Sequence, residues 1–229
     1  MAKGKQVRKS ASTRGAARPV RKRATPALTP DEREARTNAL LAAALDVFLE
    51  RGFESARLDE VAQRAGVAKG TLYLYFPSKE ALFEALIGSL IASPFQAAGE
   101  VLLKQDVPAE TMLRGLLHFA KTEILATRRK DVARLIISEA GRFPELAAFY
   151  HREVIGRGMG IVRSIIERGV KSGEFRSDAA ARFPQLVVAP ILVAIVWTGL
   201  FDRVQKLDTS GLLDAHADLL IAGLKGGTQ

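Results

Sequence analysis

The 229-residue sequence predicts an all-α fold of nine or ten helices, on three observations. Apolar residues recur at helical spacing through most of the chain, as in Leu40, Leu41, Ala44, Leu45, Val47 and Phe48. Start and stop signals punctuate these runs. Thr29-Pro30-Asp31-Glu32 has the form of a capping box with proline at the first helical position, and Gly52, Gly66 and Gly173 sit just past periodic segments. No alternating pattern long enough for a strand is present.

The elements follow in order. The first helix opens at Thr29 and runs to Arg51; Gly52 ends it, and Phe53 folds back in a Schellman-type contact. Leu58, Val61, Ala62 and Ala65 share one face of a two-turn helix. Ala65-Gly66-Val67 makes a tight turn, with glycine supplying the positive φ. Residues 68–76 form a second short helix, with Leu72 and Phe76 directed inward. Its outward surface is Lys69, Gly70, Tyr73 and Leu74, bordered by Thr71 and Tyr75. Ser78 caps a helix that begins at Lys79. Pro108 opens a helix over about 109–126, and another covers about 131–140. Phe143-Pro144 starts one that reaches Ser172. Ser177-Asp178 starts a long apolar helix, and Ser210 caps the last.

Charge is distributed unevenly. The net charge is +9, and all of it resides in nine Lys and Arg residues of the first 23, where no acid occurs. Residues 1–28 hold almost no large apolar side chain, so they form a disordered basic arm on a neutral body. Such an arm suits a polyanion, either nucleic acid or an anionic membrane surface. It has no apolar core of a secretory signal, which is consistent with a cytoplasmic protein. Cysteine is absent, which excludes disulfides, iron–sulfur clusters and thiol nucleophiles. His118, His151 and His216 are dispersed and form no zinc motif. No phosphate loop, Gly-x-Ser-x-Gly elbow or nucleophile–base pair occurs, so neither an enzyme, a cofactor nor a metal is expected. Gly156, Gly158 and Gly160 read as positions of close helix packing.

Two short helices joined by a glycine turn have the sequence form of a helix-turn-helix. The outward face of the second suits a DNA groove. Lys69 supplies charge, Tyr73 and Tyr75 supply hydroxyls, and Thr71 donates or accepts. Gly70 allows close backbone approach at the helix start beside Ala68, and Leu74 can meet a thymine methyl. Lys79 and the helix N-terminus beside it read as a phosphate clamp. The run from Gly52-Phe53 through Leu58-Asp59-Glu60-Val61-Ala62 and Ala65-Gly66-Val67-Ala68-Lys69-Gly70-Thr71-Leu72-Tyr73-Leu74-Tyr75-Phe76 to Lys79 resembles the N-terminal domain of the TetR (tetracycline repressor) family. The resemblance covers about residues 31–90. It implies a homodimeric regulator, a repressor in the first instance, that binds a palindromic double-stranded operator and is released by a small apolar effector. One departure is Arg57, where the family usually has Thr or Ser; the helix loses a capping hydroxyl, and Arg57 contacts phosphate instead. The resulting division is 1–28 arm, 29–78 helix-turn-helix unit and 79–229 ligand and dimer unit.

The second half is less specific. Arg134-Leu135-Ile136-Ile137-Ser138-Glu139-Ala140 with Arg142-Phe143-Pro144-Glu145-Leu146 resembles multidrug-efflux regulators. His118, Phe119, Thr122, Phe149, Trp197 and Phe201 are the candidates for the effector pocket. Residues 183–201 carry no charge and raise a rival reading, a membrane-associated protein, although Pro184, Gln185 and Pro190 interrupt the run. The same apolarity suits a four-helix dimer bundle built from residues 150–172 and 178–206. Pro190 should kink its helix and open space beside it.

Overall fold

The computed structural model describes Met1 and residues 29–226. The remainder of the expected basic arm lies outside the described residues. Among the described residues ten helices run in sequence. They are α1 (Pro30–Ser55), α2 (Leu58–Arg64), α3 (Lys69–Tyr75), α4 (Lys79–Lys104), α5 (residues 109–125), α6 (Arg129–Glu139), α7 (residues 144–171), α8 (Ala179–Arg182), α9 (Gln185–Leu200) and α10 (Thr209–Gly226). Among the described residues there is no strand.

Helix ends follow the local chemistry. The Thr29 hydroxyl accepts from the Glu32 amide at 3.2 Å, and the Glu32 carboxylate accepts from the Thr29 amide at 2.8 Å, which closes the capping box. Those hydrogen bonds hold the Glu32 carboxyl below its usual range. Gly52 sits at φ 75° and breaks α1, which resumes for one further turn to Ser55. Ser78 caps α4 by accepting from the Ala81 amide at 3.1 Å. The start of α5 is capped from a distance. The Glu174 carboxylate accepts from the Ala109 and Glu110 amides at 2.7 and 2.8 Å, where the helix dipole also favours an anion. The cap of α10 is Asp208, which accepts from the Gly211 amide at 2.9 Å; Ser210, the expected cap, is already one residue inside the helix.

The long apolar helix expected from residue 177 is divided. Pro184 cannot continue a helix from α8, so α9 starts afresh at Gln185 and runs through Pro190. At 16 residues α9 is shorter than a membrane span, whereas α4 is long and apolar enough to cross one. In this fold α4 buries Leu82, Phe83, Leu86, Ile87 and Ile91 in the protein core instead.

Three apolar cores hold the helices together. The first joins α1, α2, α3 and the first half of α4 to Val132, Leu135 and Ile136 of α6 and Leu146 and Val154 of α7. The second lies among α4, α5, α7, α9 and α10 around Leu113, Ile165, Phe175 and Ile221. The third is small and joins α5, α6, α9 and α10. Helices α4, α5 and α7 each contain one π-type turn, at Gly88–Ala92, Ala120–Leu125 and His151–Ile155, and the turns of α4 and α7 pack on each other. Of the three glycines read as packing positions, Gly158 fits: a Cβ there would lie 3.2 Å from the Phe95 ring. Gly160 faces open space.

Phe53 is the centre of the first core. Its ring stands 5.6 Å from Phe48, 5.1 Å from Phe83 and 4.9 Å from Phe143, the latter two edge-on. It therefore ties α1 to α4 and to the α6–α7 turn. Truncating it leaves a cavity bounded by three helices. Phe53→Ala should cost about 3–5 kcal/mol of unfolding free energy, read by urea denaturation.

Candidate nucleic-acid interface

The turn between α2 and α3 is built as a Schellman motif. The Gly66 amide donates to Gln63 O at 3.1 Å and the Val67 amide to Ala62 O at 3.0 Å, with Gly66 at φ 67°. Val67 then packs against the first core. Helix α2 is held to α1 by a two-pronged pair, Arg64 to Glu50 at 2.7 and 2.8 Å, and by Arg51 to Glu60 at 3.7 Å. Hydrogen bonding to Arg64 lowers the Glu50 carboxyl and raises the Arg64 guanidinium. On α3, Leu72 is fully buried and Phe76 closes the helix from the same side.

The opposite face of α3 is open. Ala68, Lys69 and Gly70 are exposed, Tyr73 is 43% exposed and Leu74 is 85% exposed. A Cβ on Gly70 would meet nothing within 4 Å, so no internal contact requires glycine there. Thr71 and Tyr75 flank this face and are half-buried; Tyr75 also packs on the first core. Arg57 precedes α2 without a capping side-chain bond, as its lack of a hydroxyl dictates, and among the described residues it pairs with no carboxylate.

Two cations lie differently from a bare phosphate clamp. The Lys69 ammonium pairs with Asp59, 2.8 Å from Oδ1 and 3.0 Å from Oδ2, and that bond raises its pKa. Lys79 turns toward α1. Its ammonium donates to Glu54 O at 2.7 Å and stands 4.8 Å from the centre of the Phe53 ring. Asp59 and Glu54 are the functional neighbours that sequence spacing does not reveal. Both contacts cross between helices, ten and twenty-five residues apart in sequence.

Residues 40–86 match the family model for bacterial regulatory proteins, tetR family, and residues 109–206 match that for a tetracyclin repressor-like C-terminal domain. The chain belongs to the TetR family. It is a transcriptional regulator and not an enzyme, and the membrane-associated alternative has no support. The HTH-type transcriptional repressor NicS of Pseudomonas putida is 28% identical over 203 residues, covering 81% of this chain and 91% of NicS. The fold is shared with the fatty acid degradation regulator FadR of Bacillus halodurans, with TM-score 0.65 and 23% identity over 82% of this chain and 98% of that one. FadR of Bacillus subtilis in complex with stearoyl-CoA matches with TM-score 0.54 and 23% identity, over 81% and 98%.

The TetR-family effector candidates do not converge. Phe119 alone lines an apolar groove of about 420 Å³ between α4 and α5, with Phe95, Gly99, Leu102 and Leu116. His118 is exposed, and the Thr122 hydroxyl donates to the His118 carbonyl of its own helix. Phe149 packs on the first core beneath Arg152. Trp197 and Phe201 stack edge-on at 5.2 Å on the far side, where the Trp197 indole donates to Gln205 O at 2.9 Å. Their settings differ: Phe149 packs on a core, Phe119 forms a groove wall, and Trp197 and Phe201 pack on each other at the surface, Phe201 being 44% exposed. Neither the apolar groove nor the polar cavity described below touches Pro190. Among the described residues no three His, Asp or Glu side chains group as metal ligands.

The Lys69–Asp59 pair yields a prediction. For Lys69 to meet a phosphate, Asp59 has to be displaced from it, and the carboxylate repels phosphate meanwhile. Asp59→Asn should therefore tighten binding to a labelled fragment from upstream of the chain's own gene by roughly threefold or more at low salt, measured by electrophoretic shift.

Proposed function

We propose that the chain is an effector-responsive repressor that binds a palindromic operator as a homodimer and acts in the cytoplasm. The reading rests above all on the outward face of α3, an exposed set of polar and apolar groups on a helix whose other face is locked into a core. Ala68, Lys69, Gly70, Thr71, Tyr73, Leu74 and Tyr75 meet the major groove, and Arg57 meets phosphate. Lys79 serves by holding the start of α4 to the end of α1. The division into a helix-turn-helix unit over 29–78 and an effector and dimer unit over 79–229 is functional, because the first apolar core crosses residue 79.

The dimer forms on α9 and α10. Leu186, Val193 and Leu200 lie along one stripe of α9 with Leu192 beside it, and all four are exposed. Leu219 is exposed on α10 among Ala215, Ala222 and Gly223, small residues that let helices approach closely. The other half of the bundle expected from sequence, residues 150–172, presents Arg163, Ser164 and Glu167 outward and spends its apolar face in the cores. Supporting an apolar effector are the groove on α4 and α5 and the stearoyl-CoA bound by the B. subtilis FadR neighbour. An effector shifts the population toward a conformer whose two recognition helices no longer match the half-site spacing.

Two measurements test this reading. Leu186→Glu with Val193→Glu should convert a dimer to a monomer by sedimentation velocity, with loss of operator binding, because each places a charge in the stripe. Deleting residues 1–28 removes nine cations and should weaken binding to every DNA sequence while flattening the dependence of log affinity on log salt.

A further inference from the structure

A second cavity, of about 360 Å³, opens where α5, α6 and α9 meet the α9–α10 loop, and its character is polar. Leu125 and Leu207 line part of it. The remainder is Lys130, Arg134, Thr198, Asp202 and Thr209. Two cations against one carboxylate leave the lining with a net charge of +1. Lys130 joins no ion pair among the described residues. Arg134 is more pointed. Its Nη2 donates to Asp131 Oδ1, but its Nε is buried with no hydrogen-bond partner. That Nε is shielded from the cavity as well as from a partner, so what Arg134 offers the cavity is the charge of its guanidinium. Gly199 makes room for the arginine, since a Cβ there would lie 2.7 Å from Arg134 Cδ.

Beyond Arg134 the charges continue in a ladder. Asp131, which holds Arg134 through Oδ1, lies through Oδ2 4.0 Å from Arg128 Nε. Arg128 Nη2 in turn reaches Asp46 Oδ1 of α1 at 2.5 Å. Arg134, Asp131 and Arg128 alternate in sign along α6 and its approach, and the last rung stands on the helix that carries α2 and α3. α6 itself packs on α1 on one side and on α9 on the other.

We propose that this cavity binds the carboxylate of an organic effector through Lys130 and Arg134, and that the ladder carries its presence to α1. The proposal rests on the repressor reading above and deepens it. A carboxylate seated at Arg134 competes with Asp131 for the guanidinium. Asp131 then draws Arg128 toward itself and away from Asp46. The α1–α6 junction loses its ionic tie and gains freedom to move, which is the bistable element that coupling requires. The net +1 lining suits one singly charged carboxylate better than a phosphate dianion.

Trp197 makes the test direct. It is the chain's one tryptophan, next to the lining residue Thr198 and bonded to the loop that carries Asp202 and Leu207. Its emission is titrated in the full chain with sodium acetate, inorganic phosphate and sodium chloride at constant ionic strength. A saturable change with acetate is expected, with weaker binding of phosphate and none of chloride. Lys130→Met and Arg134→Gln should each weaken acetate binding at least tenfold, with Arg134→Lys restoring part of it. Identical acetate titrations of wild type and both neutral variants would overturn the site, and tighter binding of phosphate would overturn the carboxylate assignment. The ladder is tested with labelled upstream DNA. Acetate should weaken the wild-type shift, whereas Arg128→Gln should keep the acetate emission change and lose the effect on DNA. An Arg128→Gln shift that still responds to acetate as wild type overturns the ladder. A wild type that shifts no DNA overturns the repressor reading and leaves the emission titration to judge the site.

Discussion

The packing of Phe53 is the constraint from which the rest of the molecule follows. The residue lies one position past the glycine that breaks α1, so the backbone reversal and the ring's burial are one event. Phe48 precedes it on α1, Phe83 meets it from α4, and Phe143 meets it from the α6–α7 turn. Gly52 itself is pressed close to Glu139, where a Cβ would lie 2.9 Å from Oε1. The helix-turn-helix unit and the helices α6 and α7 of the second half therefore share a core rather than a linker. Movement of α6 or α7 cannot leave α1 undisturbed, because close-packed interiors transmit displacement instead of absorbing it.

Charge acts on this frame by placement. Residues 31–80 hold seven basic and nine acidic groups, so the groove-facing unit has no bulk attraction for DNA. Three of its cations hold the unit together: Arg64 fastens α2 to α1, Lys69 joins α3 to α2, and Lys79 closes α4 onto α1. These contacts are exposed or half-exposed and contribute orientation more than stability. The nine cations of the first 23 residues hold the chain's whole net positive charge, so charge that could steer and groups that could read are separate in the sequence.

How far the sequence was legible depended on how local each determinant is. Caps, breaks and short helices are decided within about five residues, and the capping box at Thr29, the turn at Gly66 and the cap at Ser78 follow from residue type alone. Prolines were legible less evenly. Pro184 divides one expected helix into two, but Pro190 is absorbed within α9, whose neighbours determine what a missing amide costs there. The effector candidates were the least legible. An aromatic residue has the same appearance in sequence whether it fills a core, as Phe149 does, or a groove wall, as Phe119 does. The Glu174 cap on α5 and the Arg128–Asp46 tie each join residues more than sixty positions apart and leave no local trace.

The π-type turns of α4 and α7 did leave a trace, in the spacing of buried positions. Along α4 the inward residues are Phe83, Ile87, Ile91, Phe95, Gly99 and Leu103, and along α7 they are Leu146, Tyr150, Val154, Gly158, Val162 and Ile166. Each step is four residues. In a regular helix every such step precesses by roughly 40°, so twenty residues would wind the stripe more than halfway round the rod. A π-type turn holds one residue more than an α turn and winds back about a quarter of a circle. One inserted residue in each rod thus takes back about half of that winding, and the pair of insertions lies side by side where one core gives way to the next.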